Sequence, residues 1–218
     1  KFGEKVNAEM ILSPLFRYMR WYGSRTPDAI YLLSVEPAEI DQIKLFPPAA
    51  VPVTGPDALC GAVGGPWDRL TLSVENHYIY QSIRAHLDSG VPWSETQLYR
   101  HPSYERDLGK ARRRAEKIER LIESIDENGY QQRFDPDGVI PKRDEDAPTN
   151  EWVGDVHVGD EMIVGLDRSG EFVHLKNGRH RLSVARYLGI KEIPIVVSLV
   201  HPQARAKLPG DAQPIHPD

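Results

Sequence analysis

The chain has very little cysteine: one residue, Cys60, in 218. No intramolecular disulfide can form, and no C-x-x-C pair exists to hold zinc or exchange thiols. A reducing compartment follows from that usage, and a cytoplasmic location is the expectation. Long apolar runs are missing too. None reaches the roughly 18 to 20 residues that a membrane-crossing helix needs, and no basic-then-apolar leader with a small-residue cleavage site opens the sequence, so no membrane partner is expected. The sequence begins at Lys1 rather than Met, so a targeting signal further upstream would lie outside it. Positive charge is not in excess either. The formal net charge is −5, which argues against a protein that coats nucleic acid while leaving room for a local basic face. No internal repeat recurs at a fixed period.

What remains is ordinary globular composition, with 40% hydrophobic and 27% charged residues. That suits one elaborated domain, or one domain with a small appendage. Apolar residues from Val6 to Tyr22 recur at roughly helical spacing around Pro14 and predict a short N-terminal helix within a segment 1–29. Ile30 to Val35 reads as a buried strand that leaves the core at Glu36-Pro37. Pro47 to Gly65, rich in Pro, Gly and Ala, reads as a long loop. Tyr78, Ile79, Ser82, Ile83 and Leu87 share a helical face that ends before Gly90, and Tyr104 to Asn128 predicts a long charged helix closed by Gly129. Asp135 to Glu151 is loop-like.

The last third reads strand, turn, strand, turn, helix, strand. Met162 to Leu166 and Phe172 to Leu175 flank the hairpin signal Asp167-Arg168-Ser169-Gly170. A helix with Leu182, Ala185, Leu188 and Ile190 on one face ends at Gly189, and Ile193 to Val200 is a β-branched run suited to a central strand. Beyond Pro202 the polar, proline-rich tail is expected to fray, giving a flexible segment 204–218.

Asn177 and Gly178 supply turn chemistry immediately before this helix, and Arg179, His180, Arg181 and Ser183 occupy its first turns. Backbone N–H groups and positive side chains at a helix start favour an anion, the dipole alone contributing about 0.3 to 1 kcal/mol. Charge-assisted hydrogen bonds from two arginines add to this. A phosphate site built from Asn177, Gly178, Arg179, His180, Arg181 and Ser183 is therefore expected. The competing reading has the arginines capping nearby carboxylates and His180 as a buried tautomer. His157, His174, His180 and His201 are also weighed as a metal site, but strand histidines more often satisfy backbone groups, and no metal ligand is assigned.

Gly178-Arg179-His180-Arg181-Leu182-Ser183-Val184-Ala185-Arg186, followed by Leu188-Gly189-Ile190 and Ile193-Pro194-Ile195-Val196-Val197, resembles the G-x-H-R or G-x-R-R motif, helix, L-G and I-P-V-V strand of the ParB/sulfiredoxin superfamily. Leu121 to Tyr130 resembles the family's upstream L-x-x-S-I-x-x-N-G helix, and Leu33 to Ile40 its opening strand and V-x-P-x-x-I exit. The resemblance covers about Tyr31 to Pro202. It implies an α+β fold with a small mixed β-sheet flanked by helices over about 30–203, with a helical insertion near 66–112.

Chemistry differs across that superfamily. Partition proteins hydrolyse CTP and clamp DNA, sulfiredoxins use ATP on a sulfinate, and some relatives phosphorylate free serine. Arg179 stands where sulfiredoxins carry their reactive cysteine, so sulfiredoxin activity is not expected. With only a short segment after Val200 here, the helix-turn-helix and dimerisation domains of partition proteins are not expected. The expectation is a nucleotide-dependent phosphotransferase or nucleotide hydrolase that takes ATP, ADP or CTP, with Mg2+, and acts on a small-molecule acceptor. Arg179 and Arg181 would neutralise phosphoryl charge and His180 would donate a hydrogen bond or relay a proton. Glu36, Glu39, Asp160 and Glu161 are the candidate carboxylates. The alternative is a non-catalytic DNA-associated or protein-binding module using the basic run Arg112 to Arg114, whose interleaved glutamates argue instead for a salt-bridged face. No Asp/Glu/His set at metal-binding spacing points to a nuclease.

Overall fold

A computed structural model of the chain describes residues 30–45, 61–62, 67–131, 161–208 and 213–215. The expected N-terminal helix, most of the Pro/Gly-rich loop with Cys60, the 135–151 loop, His157 and Asp160 lie outside the described residues. The architecture is α+β around one mixed sheet.

The strands, in chain order, are β1 (Ile30–Val35), β2 (Gln42–Lys44), β3 (Gly61–Ala62), β4 (Thr71–Ser73), β5 (Ile163–Leu166), β6 (Phe172–Lys176), β7 (Ile193–Val200) and β8 (Gln213–Ile215). They run β4-β2-β6-β5-β7-β1-β8 across the sheet, with β3 also paired to β7. The β-branched run Ile193 to Val200 is central, as its composition predicts. It lies antiparallel to β1, with Leu33 opposite Ile195, and parallel to β5, with Val164 opposite Val197. Asp167 to Gly170 closes the β5–β6 hairpin, where the Asp167 carboxylate accepts from the amides of Ser169 and Glu171.

Four α-helices accompany the sheet among the described residues: α1 (Tyr78–Ser89), α2 (Gln97–Arg100), α3 (Leu108–Asn128) and α4 (Arg179–Tyr187). The sequence anticipates α1, α3 and α4 with boundaries close to these. Two expectations change. The segment assigned to a helical insertion opens with β4, which pairs with β2 at the sheet edge. The segment expected to fray carries a 3-10 helix at Pro202–Lys207 and then β8, whose pairing with β1 covers that strand's second edge.

Two apolar cores meet at α4. Leu182 and Ala185 pack with Val164, Ile195 and Val197 over the sheet. Val184 instead joins Ile79, Ile83, Leu98, Ala115 and Ile118 among the helices. The wedge position follows from spacing: residues 182 and 185 share one helical face, and 184 turns away from it. As a result α4's N-terminus points to the seam between the sheet and α1–α3.

Candidate anion site at the start of α4

Asn177 (φ 53°) and Gly178 (φ 65°) are consecutive left-handed residues that end β6 and start α4. Glycine is favoured at 178, where φ is left-handed and a Cβ would press to 3.1 Å from the Met162 side chain. The first intrahelical bond runs from Leu182 N–H to Gly178 O at 2.7 Å, so the helix presents its opening amides to whatever occupies the seam.

The cationic motif residues separate in space. Arg181 turns inward. Its Nη1 lies 3.3 Å from Oε2 of Glu161, which is 0% exposed, and its guanidinium sits 5.5 Å from the centre of the Tyr130 ring. Ser183 is buried, and its Oγ donates to Arg179 O at 3.0 Å, a bond within the helix. Of the expected phosphate ligands, these two therefore have structural partners.

Arg179 faces the seam, where it meets residues contributed by the helical segment. Its Nη1 stands 3.5 Å from Nε2 of His77. His77 caps α1, and its Nδ1 accepts from Ile79 N–H at 3.3 Å. A neutral imidazole that accepts at Nδ1 carries its proton on Nε2, so the 3.5 Å contact sets a donor against a donor. His101 repeats the device, with Nδ1 accepting from Ser103 N–H at 3.3 Å and its ring stacked on Tyr78 at 3.9 Å. Both histidines are thus held as Nε2–H donors by their own backbone turns. The Tyr78 ring also lies 4.5 Å from His77 and 6.4 Å from the Tyr104 ring.

On the sheet side, His174 of β6 is 1% exposed and its Nε2 donates to Asn177 O at 2.5 Å, tying the strand to the turn. Its Nδ1 is buried without a partner, as are Nε of Arg179 and Nε2 of His180.

The electrostatics match this geometry. Burial, reinforced by Arg179 and neighbouring histidines, pushes His77 down to about 3. Burial also holds His174 at about 4, and His180 at about 3 with help from Arg114 and Lys117. His101 is lowered by burial and by Arg179. Burial lowers Arg179 itself, opposed by Tyr78 and Tyr104, and raises the Tyr78 phenol. The imidazoles are therefore neutral near pH 7, and Arg179 has no carboxylate against it among the described residues. A half-buried arginine set against a fixed donor lacks one thing, an acceptor.

The other expected residues lie elsewhere. Glu36 and Glu39 form a capping box around the 3-10 helix Pro37–Glu39. His201 caps the 3-10 helix Pro202–Lys207, its Nδ1 accepting from Gln203 N–H. No group of three or more His, Cys, Asp or Glu able to hold a metal ion occurs among the described residues. Of the basic run, Arg112 pairs with Glu116 at 2.9 Å and Arg113 lies 3.9 Å from Asp107. No described helix is long and apolar enough to cross a membrane.

His77, Tyr78, His101 and Tyr104 were not legible as site residues. The only local signal was His77 directly ahead of a helical pattern, where a ring nitrogen serves as a cap. Comparisons with protein-family models, curated proteins and solved structures find no match to this chain.

Proposed function

We propose that the seam at the start of α4 binds the phosphates of a nucleoside di- or triphosphate, which the protein uses for phosphotransfer to a small acceptor or for hydrolysis. The observation that carries this reading is Arg179 set against the Nε2–H of His77, with no carboxylate opposing them among the described residues. A phosphate oxygen placed there would turn a donor–donor contact into two charge-assisted hydrogen bonds. The α4 amides would share the charge. The resemblance to the ParB/sulfiredoxin motif supports a nucleotide as the phosphate's carrier, and Arg179 in the cysteine position directs the chemistry away from sulfinate reduction.

Within this reading Arg179 alone keeps the role expected of both arginines, and Arg181 serves as the buried partner of Glu161. His180 is neutral and half-buried, so it serves as a hydrogen-bonding group rather than as a reservoir for a proton at neutral pH. Mg2+ would accompany the nucleotide as its counter-ion.

Titration calorimetry with ATP, ADP and CTP, with and without Mg2+, tests the proposal. Wild-type protein should bind at least one of them, and Arg179→Met should weaken it by about a hundredfold, equal to about 2.7 kcal/mol. No binding at millimolar nucleotide, or equal binding by the variant, overturns it.

A further inference from the structure

His77 stands between two donors. On one side the Ile79 amide donates to its Nδ1 at 3.3 Å, the bond that caps α1. On the other, Nη1 of Arg179 lies 3.5 Å from its Nε2. A neutral imidazole has one accepting nitrogen and one N–H, so a single tautomer answers only one of the two. With the proton on Nε2, the α1 cap is made and Arg179 is opposed. With the proton on Nδ1, the ring accepts from Arg179, and the Ile79 amide in the first turn of α1 loses its acceptor. A doubly protonated ring answers neither, and burial together with Arg179 closes that state at neutral pH by holding His77 at about 3.

The other groups around the ring leave this conflict in place. His174 and His101 are themselves held neutral by burial and by Arg179, and His174 already commits its Nε2 to Asn177 O. Nε of Arg179 is buried without a hydrogen-bond partner, so the guanidinium is not relieved along that edge. An unanswered buried donor costs more than one hydrogen bond gains. Both tautomers therefore carry a comparable penalty in the anion-free protein.

We propose that anion binding at Arg179 is coupled to the first turn of α1 through the tautomer of His77. The proposal rests on the reading of the α4 turn as a phosphate site and adds to it a conformational response. In the anion-free protein the two tautomers share the population, and the α1 cap is made only part of the time. An anion oxygen beside Arg179 supplies the missing acceptor and accepts from Nε2–H as well. That fixes the proton on Nε2 and keeps Nδ1 for Ile79. The ligand thus completes the cap of α1 without touching its backbone, and by linkage a capped α1 holds the ligand more tightly. His77 is a positioning residue in this arrangement. The response reaches α2 through α1, because the Leu98 amide donates to Ser82 Oγ at 2.8 Å.

The experiment is NMR on the isotope-labelled full chain at neutral pH, with and without saturating inorganic pyrophosphate, whose binding is followed in parallel by calorimetry. Pyrophosphate carries the phosphoryl oxygens common to ATP, ADP and CTP. Imidazole nitrogen shifts tell which ring nitrogen of His77 bears the proton. They should report a tautomer mixture in the free protein and Nε2–H alone in the bound one. Exchange of the Ile79 amide should slow about tenfold on binding, the equivalent of one hydrogen bond. His101 accepts at Nδ1 from Ser103 N–H in the same way but has no arginine at hydrogen-bond distance among the described residues, so it should keep one tautomer throughout. In His77→Asn a cap acceptor remains but the second ring nitrogen is gone, and Ile79 exchange should be the same with and without pyrophosphate. Bound pyrophosphate with an unchanged His77 tautomer, or with unchanged Ile79 exchange, overturns the coupling and leaves the phosphate site standing. An equal tautomer change at His101, or anion-dependent Ile79 exchange in His77→Asn, overturns the route through His77. Absence of pyrophosphate binding overturns the site and the coupling together. The tautomer readout is made on the wild type, so it decides the matter even if His77→Asn does not fold.

Discussion

Two half-buried arginine sites in this protein are built in opposite ways. At the β5–β6 hairpin, Arg168 grips Asp68, whose side chain is 2% exposed, with Nε at 2.7 Å, Nη2 at 2.5 Å and a further bond from its own amide at 3.1 Å. At the α4 turn, Arg179 meets imidazole donors instead. One guanidinium is saturated by a carboxylate from a distant segment, which pins the hairpin to the stretch ahead of β4. The other is enclosed but electrically unanswered. Burial of an arginine is therefore not in itself a sign of either stability or function, and the identity of the groups opposite decides which it serves.

The largest effect should come from breaking the saturated site. Asp68→Asn strands Arg168 against a buried neutral amide and should cost about 3 kcal/mol of unfolding free energy, read from urea denaturation. Phosphate binding at the α4 turn should be unaffected. Arg179→Met is the contrast, because it removes a half-buried charge with no carboxylate partner and should leave the urea midpoint unchanged or raised. A loss at Arg179 comparable to that at Asp68 would erase the distinction between the two sites.

An intermediate effect should come from pH. Burial depresses His77 to about 3, His174 to about 4 and His180 to about 3 in the folded protein, against about 6.5 in an unfolded chain. Between those limits the unfolded chain binds more protons, so stability rises with pH there. It should be complete above about pH 7 and be lost steadily as pH falls through 6 toward 4. Urea midpoints across that range should show the decline, and a flat profile would mean the imidazoles are not held neutral. The smallest effect should come from Ser183→Ala, which removes only the bond to Arg179 O. It should cost under about 1 kcal/mol and leave nucleotide affinity unchanged. A marked loss of affinity would return Ser183 to the phosphate-contacting set.

Much of the framework was readable before any coordinates. The β-branched run at Ile193 to Val200 sits in the middle of the sheet, Asp167 to Gly170 makes the hairpin, and Gly129 and Gly189 follow the helices they were expected to end. β2 and β4 were not readable, because three residues are too few to show a period and their strand character comes from pairing with each other and with β6. The opposite fates of Arg179 and Arg181 were partly readable. At 3.6 residues per turn, positions two apart lie about 200° around the helix, so both side chains could not face one ligand. Which of them faced outward depended on what packed against α4.

What the sequence determined by itself is local: the turn at Asn177-Gly178, the helix after it, and the crowding of cations at that helix's start, each following from backbone preferences and period. What only the tertiary structure decided is who stands opposite. Glu161 neutralises Arg181, while His77, brought by a helix some hundred positions earlier in the chain, leaves Arg179 facing a fixed donor. Local rules set where a charge sits along the chain. Only packing between distant segments sets whether it is answered, because electrostatic interaction depends on separation in space and on burial rather than on separation in sequence.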